Sequence, residues 1–396
     1  MKRKNIMNIL MISMVSAMLV TGCSATGENI NIFGNSTVGA AETENTSYDL
    51  SGLTDMDELT DEEIDSAEVI DLDGKTGTYT ITEGGTYRLK GSSEKCSIVI
   101  DVDDDEDVTL ILDNVSFSSK TSAPVYVASA DTVNLVLVGD STLTNGGSFE
   151  DAEDEKTDAV IYSKSDLVFS GNGSLTITSP AGNGIVSKDS LSIYGGVLNI
   201  TASDDGINVN DELVISGGTF TIEAGDDGIH ADMSIQIDGG TIDINAAEGF
   251  EATSIVINDG DISINASDDG INAAQKVDDI DVRVEINGGN ITIVMGQGDT
   301  DGIDSNGDLI INGGMISITG QSSCDYDGKA ELNGGTLIVN GEEVDEISNQ
   351  FMGGAPGGMG GMGGFGSDFQ GDDNMPEPPE GGFGQGGDFG QGGMRP

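Results

Sequence analysis

Between residues 204 and 328, and apart from the Gly-Gly and Asp-Gly turns between strands, a carboxylate stands directly before a glycine once per repeat, six times in all. The pairs are Asp205-Gly206, Asp227-Gly228, Glu248-Gly249, Asp269-Gly270, Asp301-Gly302 and Asp327-Gly328, and their glycines step by 22, 21, 21, 32 and 26 residues. A period of about 20 to 50 residues is typical of a solenoid, in which each repeat forms one coil. Carboxylates stacked at the strand spacing of about 4.8 Å repel by about 3–4 kcal/mol at an effective dielectric of 20. The sequence therefore predicts a solenoid whose acidic column needs a positive partner.

Apolar and polar residues alternate with period two between these pairs, which is the pattern of half-buried strands. One strand per repeat precedes a Gly-Gly or Asp-Gly turn, and its apolar pairs are Leu213/Ile215, Ile235/Ile237, Ile255/Ile257, Val284/Ile286 and Leu309/Ile311. A second strand follows the turn, as in Phe220-x-Ile222 and Ile242-x-Ile244. Three short faces per repeat predict an all-β chain, a single parallel β-helix of about 12 coils over residues 66–348.

Two details of this β-helix follow from local chemistry. The corner glycines are expected to take the positive φ angles that only glycine adopts without strain. Asn287, Asn312 and Asn333 are expected to stack as a polar ladder. The acidic stretches at 150–155 and 278–281 are expected to bulge out as loops, and the coils over 66–150 are looser.

The acidic column predicts calcium, which binds six to eight oxygen ligands and accepts carboxylates from adjacent turns. The candidate carboxylate ligands are Asp204, Asp205, Asp226, Asp227, Glu248, Asp268, Asp269, Asp301 and Asp327. The residues two positions after the glycines add further donors: Asn208, His230, Glu251, Asn272 and Asp304. The alternative is that these are solvated corner residues, because Asp and Asn tolerate turn geometry.

The charge balance limits the partners. With 70 acidic and 15 basic residues the formal net charge is −55, so nucleic acid is not expected as a partner. The chain has no Trp, so a sugar would be bound by ladders of polar groups rather than by Trp stacking. Outward threonines that could serve are Thr176, Thr178, Thr201, Thr221 and Thr241. A polyuronate would be repelled by this surface unless calcium bridged the carboxylates on both sides.

Both termini differ in composition from the repeats. Lys2, Arg3 and Lys4 precede an apolar run that ends at Cys23, which predicts a lipoprotein signal peptide at 1–23 with Cys23 lipidated and the protein secreted to the outer face of a bacterial membrane. Residues 24–65 are a polar acidic spacer and 349–396 a Gly/Met-rich disordered tail. Cys96 and Cys324 are expected at opposite ends of the solenoid as buried free thiols.

Several segments resemble a known family. Ser122–Val127 (Ser-Ala-Pro-Val-Tyr-Val), Ser163–Leu167 (Ser-Lys-Ser-Asp-Leu) and the Asp-Asp-Gly-Ile corners look like the clostridial cell-surface carbohydrate-binding family, which is similar in fold to pectate lyases. The resemblance implies a right-handed β-helix that binds cellulose and acidic sugars such as polygalacturonate, with calcium in the coil corners and no established lyase activity. Carried over by position, it assigns metal binding to residues 204–205, 226–227 and 268–269, whereas Glu248 departs from the motif because Ala247 precedes it.

Three functions remain open at this point. The first is a monomeric, non-catalytic polysaccharide binder, attached to the membrane only by its lipid. The second is a calcium-dependent uronan lyase or hydrolase; His230 beside Asp226-Asp227 and a base such as Arg283, Lys188 or Lys164 would have to serve it. A motif repeated in several coils favours a structural role over a unique active site. The third is a structural spacer or adhesin.

Overall fold

The computed structural model describes residues 59–147, 149, 157–297 and 300–349. The predicted signal peptide with Cys23, most of the predicted spacer, nearly all of the predicted tail and the predicted loop at 150–155 lie outside the described residues. Within the described part, the only helix is α1, Asp61–Ser66, which Thr60 and Glu63 close with a reciprocal capping box. The described residues contain no helix that is long and apolar enough to span a membrane.

The remainder is a parallel β-solenoid of about 11 turns, built from strands β1–β33. Each turn contributes one strand to each of three faces. We number the faces by their order after the carboxylate-glycine corner. The strands of the first face are β2 (Gly77–Ile81), β5 (Cys96–Asp101), β8 (Val125–Ser129), β11 (Ala159–Ser163), β14 (Asn183–Ser187), β17 (Ile207–Val209), the first halves of β20 (Asp227–Ile237) and β22 (Glu248–Ile257), β24 (Ile271–Ala273), β27 (Asp301–Ser305) and β30 (Ser322–Tyr326).

The second face continues the same sheet. Its strands are β1 (Glu68–Asp71), β3 (Gly85–Lys90), β6 (Val108–Asp113), β9 (Thr132–Val138), β12 (Asp166–Gly171), β15 (Leu191–Ile193), β18 (Glu212–Ile215), the second halves of β20 and β22, β25 (Arg283–Ile286), β28 (Asp308–Ile311) and β31 (Ala330–Leu332).

The third face is a separate sheet of eleven parallel strands, closed by the antiparallel strand β33 (Glu342–Val344). Its parallel strands are β4 (Ser92–Ser93), β7 (Ser116–Ser119), β10 (Asp140–Asn145), β13 (Ser174–Ser179), β16 (Val197–Ala202), β19 (Thr219–Glu223), β21 (Thr241–Ala246), β23 (Asp261–Ala266), β26 (Asn290–Met295), β29 (Met315–Thr319) and β32 (Thr336–Val339). The predicted fold class is thus confirmed, with about 11 turns against the 12 predicted.

The core is the inside of the coil, where like residues stack from turn to turn. Ile222, Ile244, Ile264 and Ile293 are partners in register, and none is more than 2% exposed. On β19 buried and exposed residues alternate strictly, as the period-two pattern predicts. Each fully buried Ile contributes roughly 1.5–3 kcal/mol of hydrophobic free energy. The stacked core therefore fixes the register of the faces, and with it the alignment of the outward side chains.

The carboxylate-glycine corners do not use glycine for its conformation. Gly206, Gly228, Gly249, Gly270 and Gly302 do not have positive φ, so that part of the prediction is wrong for them. They are needed for space: a Cβ on Gly206 would lie 2.4 Å from Ile222 Cγ2 and 2.6 Å from the carbonyl oxygen of Gly228. Successive corner glycines lie against one another's backbone, so no side chain fits between the coils at this corner.

The turns between the second and third faces do use positive φ. Gly218 and Gly240, the second glycines of their turns, have φ of 104° and 101°. The predicted asparagine ladder is also confirmed: Asn312 Nδ2 donates to Asn287 Oδ1 at 2.8 Å, and Asn333 Nδ2 donates to Asn312 Oδ1 at 2.9 Å. These turns and ladders hold the corner between the second and third faces, away from the acidic column.

Candidate functional site

Five of the six carboxylate-glycine pairs stack at the corner where the third face passes into the first. We call Asp205, Asp227, Glu248, Asp269 and Asp301 the corner carboxylates. Backbone hydrogen bonds connect these pairs from one coil to the next. Gly206 N donates to Asp227 O at 2.9 Å, and Gly270 N donates to Asp301 O at 2.9 Å. The predicted register is therefore confirmed for these five.

The register predicted for the sixth pair is wrong. Gly328 N donates to Gly307 O at 2.7 Å, so Asp327 lies at the corner between the first and second faces. The place above Asp301 is taken by Ser322, whose hydroxyl donates to the Asp301 carboxylate. A Ser-Ser pair replaces the Asp-Gly signature in this coil, which is why the glycine spacing misled the prediction.

The corner carboxylates have a structural task of their own. Asp205 Oδ1 accepts the backbone N–H of Asp227 at 3.1 Å, and Asp269 Oδ1 accepts that of Asp301 at 2.8 Å. Asp205 and Asp227 are only 7% and 6% exposed, so these bonds satisfy N–H groups that are out of reach of water. Part of the acidic column is therefore explained without any ion.

Next to this corner, the first face carries a row of side chains on the side opposite to the core, one per coil, of which Tyr162 and Val186 are buried in a second apolar cluster. Strand pairing places these residues in register as Thr80, Val99, Tyr126, Tyr162, Val186, Asn208, His230, Glu251, Asn272, Asp304 and Asp325. We call this set the first-face row. It contains all five donors predicted two residues after the glycines. Asp325 was missed because Ser323 stands where a corner glycine was expected, although the buried Cys324 beside it continues the apolar alternation.

In the middle of the first-face row, basic side chains compensate the negative charge of the carboxylates. His230 Nδ1 lies 2.7 Å from Glu251 Oε2 and 3.1 Å from Asp227 Oδ2, and Lys276 Nζ lies 2.5 Å from Glu251 Oε1. Burial alone would lower the pKa of His230, but its contacts with Asp227, Glu251 and Asp232 outweigh it and raise the pKa to about 10. Burial would likewise raise the pKa of Glu251, but His230 and Lys276 hold it at about 2.

Potential ligand atoms of Asp227, His230 and Glu251 lie within 4.8 Å of one another. A metal-ligating histidine must be neutral, however. His230 is protonated here at neutral pH and supplies positive charge itself. Since calcium prefers oxygen ligands, this cluster fits the ion poorly.

Further along the row, the carboxylates have no such compensation. Burial raises the pKa of Asp304 to about 7, and the neighbouring carboxylates, Asp269, Asp325, Asp301 and Asp327, add to the shift. Beside it in register, Asn272 is 9% exposed, and its Oδ1 has no hydrogen-bond partner while its Nδ2 donates to Glu248 Oε2 at 2.9 Å. We call Asn272, Asp304 and those four carboxylates the Asp304 cluster. An orphaned buried oxygen beside carboxylates offers the oxygen donors that a hard cation prefers, although the groups whose ligand atoms lie within 4.8 Å of one another are those of Asp227 and of Asp204 and not this cluster.

A second acidic group lies at the start of the column. Potential ligand oxygens of Asp204, Asp205 and Asp226 lie within 4.8 Å of one another. Asp204 and Asp226 are exposed, and both oxygens of Asp205 already accept hydrogen bonds, from Asp227 N and from Asn208 Nδ2. Asp268, the remaining predicted ligand, is an exposed residue directly before Asp269. This group fits a loosely held ion on the surface.

The opposite end of the first-face row is aromatic and basic. The rings of Tyr126 and Tyr162 are 5.9 Å apart, Lys164 Nζ lies 5.8 Å from the centre of the Tyr126 ring, and Lys188 Nζ lies 5.9 Å from that of Tyr162. Lys164 comes two residues after Tyr162 and Lys188 two residues after Val186, so both lysine side chains also point away from the core. The face thus changes from basic and aromatic to acidic along the solenoid, which the sequence reasoning did not detect.

The other predicted residues lie where the pattern placed them. Cys96 and Cys324 are free and buried. The threonines of the third face alternate with buried residues; Thr201, Thr221 and Thr241 are exposed, and Thr176 and Thr178 are half-buried. Arg283 begins β25 on the second face, where it contacts Glu285 at 3.5 Å and Ser254 Oγ at 3.4 Å.

A parallel β-solenoid with a long outward row of polar and aromatic groups defines a class of protein that presents an extended surface rather than an enclosed pocket. Comparison with known proteins identifies the family. A family model described as carbohydrate-binding domain-containing protein matches residues 75–341. The chain belongs to this family.

Two known proteins are similar to this chain. A carbohydrate-binding domain-containing protein of Acetivibrio thermocellus is 33% identical over 152 residues, which are 37% of this chain and 51% of that protein. The chain thus matches about half the length of that relative. A solved structure described as the polysaccharide lyase-like protein from C. thermocellum, a gadolinium derivative, has 26% identity and a TM-score of 0.45, covering 68% of this chain and 95% of that one.

Proposed function

We propose that the chain binds an extended polysaccharide along its first face without cleaving it, and that calcium held by the Asp304 cluster assists this binding. The observation that carries the proposal is the first-face row. Its six polar members from Asn208 to Asp325, in register on adjacent strands about 4.8 Å apart, extend over roughly 24 Å. A linear glycan has the same extended shape, and amide, carboxylate and hydroxyl groups on successive coils can bond to successive sugar units.

The Asp304 cluster supports the calcium part of the proposal. Its five carboxylates and the orphaned Asn272 Oδ1 offer oxygen ligands, and burial and the four neighbouring carboxylates are the largest causes of the raised pKa of Asp304. When bound there, calcium would supply positive charge that bridges protein carboxylates and the carboxylates of an acidic glycan. Asn272 and Asp304 would hold the ion, while Asn208 at the other side of His230 would contact the sugar hydroxyls directly.

The protonation of the basic side chains near the row favours binding without catalysis. A lyase needs an unprotonated base beside the sugar. Lys276 and His230 are the bases next to the acidic half of the row, and contact with Glu251 raises the pKa of both despite their burial. Both are therefore protonated at neutral pH, and Arg283 lies on the second face. Calcium-dependent lyase or hydrolase activity remains the alternative, and a structural spacer or adhesin is the third.

The sequence of the N-terminus supports a place on the cell surface. The basic residues 2–4, the apolar run and Cys23 have the order of a bacterial lipoprotein signal. We propose that the lipidated Cys23 anchors the chain to the outer face of the membrane and that the solenoid binds glycan there. Cellulose and polygalacturonate are the ligands to test first.

Affinity electrophoresis and pull-down on cellulose and polygalacturonate, with calcium and with chelator, test the proposal. We expect retention on at least one glycan, no release of unsaturated or reducing products, and weaker retention of the acidic glycan in chelator. Asp304→Asn should weaken calcium binding by calorimetry at least about tenfold, since a charged ligand is lost. Asp243→Asn, an exposed carboxylate on the third face, is the matched control.

The outcomes separate the three functions. Products released from polygalacturonate would establish the enzyme and overturn binding without turnover. Retention on no glycan would leave the spacer. Unchanged melting temperature and retention after exhaustive chelation, with no heat of calcium binding, would overturn the calcium part alone.

A further inference from the structure

A concave surface opens at the N-terminal end of the third face, well away from the acidic column. It is a cavity of about 840 Å³ between the first coils. Three lysines, Lys75, Lys95 and Lys120, line it together with the hydroxyls of Ser92, Ser116 and other small polar residues. Its size lies within the usual range of ligand sites, about 300–1,000 Å³.

Three successive coils place these lysines at one corner. Lys75 lies in the turn after β1, Lys95 between β4 and β5, and Lys120 directly after β7. Gly77 N donates to Lys95 O at 2.7 Å, and a Cβ on Gly146, in the next coil, would lie 2.6 Å from the Lys120 backbone. This is the corner between the third and first faces, where later coils carry the corner carboxylates. One edge of the solenoid therefore begins basic and becomes acidic.

The concentration of positive charge is unusual for this chain. The described part contains ten basic residues: Lys75, Arg88, Lys90, Lys95, Lys120, Lys164, Lys188, Lys276, Arg283 and Lys329. Three of the ten line this cavity, and Glu94 is the one acidic residue among its lining. Arg88, Lys90, Lys276, Arg283 and Lys329 are all in ion pairs. Lys75 and Lys95 make none with any residue of the described part.

A carboxylate outside the lining, that of Asp73, is bonded to Ser92. Asp73 Oδ1 accepts the N–H of Ser92 at 2.8 Å and lies 3.4 Å from the Ser92 hydroxyl. The corner carboxylates begin at Asp205, four coils after β5, which is roughly 19 Å along the axis. Since the Debye length is about 8 Å at physiological ionic strength, the distant acidic column is largely screened here.

We propose that this lysine cavity binds the carboxylate of an acidic saccharide directly, without calcium. Ammonium groups form charge-assisted hydrogen bonds with a carboxylate, and the serine hydroxyls around them suit the sugar hydroxyls. Sulfate and phosphate esters share the anionic chemistry, so the test has to distinguish them from a uronate. The site is independent of the calcium-assisted binding on the first face, because the cavity opens on the third face and holds no acidic cluster.

Isothermal titration of the full chain with trigalacturonate in excess chelator tests the site. The comparison ligands are the same trisaccharide with its carboxyl groups reduced, inorganic sulfate and inorganic phosphate. We expect saturable binding of trigalacturonate that weakens with salt, and at least about tenfold weaker binding by the Lys75→Gln/Lys95→Gln double variant. Lys329→Gln, which removes a 57% exposed lysine near the other end, should bind like the wild type.

Each contrary outcome has a distinct meaning. Equal binding by the double variant and the wild type, or equal binding of the carboxyl-reduced trisaccharide, would overturn the site. Sulfate or phosphate binding as tightly as trigalacturonate would overturn the saccharide assignment. Both substituted lysines are exposed, so an unchanged melting temperature should accompany the loss of binding. Failure of first-face binding is recognised separately, because Asp304→Asn leaves the chelator-insensitive binding at the lysines intact.

Discussion

Replacing Gly228 by alanine is the most direct test of how the acidic column is built. Gly228 follows the corner carboxylate Asp227 and does not have a positive φ, so conformation alone would permit alanine. Space would not. The new Cβ would lie 2.4 Å from Ile244 Cγ2, 3.1 Å from Ile244 Cδ1 and 2.8 Å from Gly249 O.

The magnitude follows from how little these neighbours can move. Ile244 is fully buried and stacked between Ile222 and Ile264, and Gly249 O belongs to the backbone of the next coil. Overpacking of this kind costs about 1–3 kcal/mol. The lower entropy of the unfolded chain with alanine offsets about 0.4–1 kcal/mol of that. We expect a net loss of about 1–2 kcal/mol, which lowers the melting temperature by roughly 2–3 °C for a domain of this size.

Gly239→Ala in the same coil is the matched control. Gly239 also lacks a positive φ, and its Cβ would meet nothing nearer than Ser216 O at 3.2 Å. Urea and thermal unfolding followed by circular dichroism should show the larger loss for Gly228→Ala. Equal stability of the two variants would refute the argument, because it would mean that the corner has room for a side chain.

The remaining predictions concern a titration, the core and a surface ladder. Burial and the charge of Asp189 raise the pKa of Asp166 to about 6, so its ionisation lowers stability as pH rises from about 4 to 6. Asp166→Asn should therefore raise the melting temperature at pH 7 but barely at pH 4; an equal shift at both would contradict this. Ile264→Ala should cost about 2–5 kcal/mol in urea unfolding, and a loss below 1 kcal/mol, roughly, would mean that the stack collapses around the gap. Asn312→Ala, on the exposed ladder, should cost only about 0.5–1.5 kcal/mol in the same assay.

The period-two pattern predicted most of the fold because each coil repeats the same burial problem. Ile222, Ile244 and Ile264 lie at equal positions in successive repeats, so one correctly assigned strand assigns its neighbours. The same logic placed Asn208, His230 and Asn272 in one row. It failed where the signature changed, as at Ser322, since no spacing rule shows that a Ser-Ser pair takes the place of Asp-Gly.

Features made by different repeats together were not predictable in this way. Lys75, Lys95 and Lys120 share no motif, and their common corner emerges only when the first coils are stacked. The role of the corner glycines was also hidden, because a sequence shows that a side chain is missing but not whether conformation or space excludes it. The close approach is between Gly228 and the side chain of Ile244, and these residues are 16 positions apart in the chain.

The charge of the column is compensated in different ways along its length, and this decides where an ion fits. Around Glu251 the chain supplies the positive charge through His230 and through Lys276. Lys276 belongs to the insertion that lengthens the step from Gly270 to Gly302 to 32 residues. In the next two coils the groups that raise the pKa of Asp304 besides burial are carboxylates, and Asn272 Oδ1 has no hydrogen-bond partner among the described residues. Repulsion between stacked carboxylates therefore does not require an ion in every coil. We expect an ion where uncompensated carboxylates accumulate, which is at the Asp304 cluster.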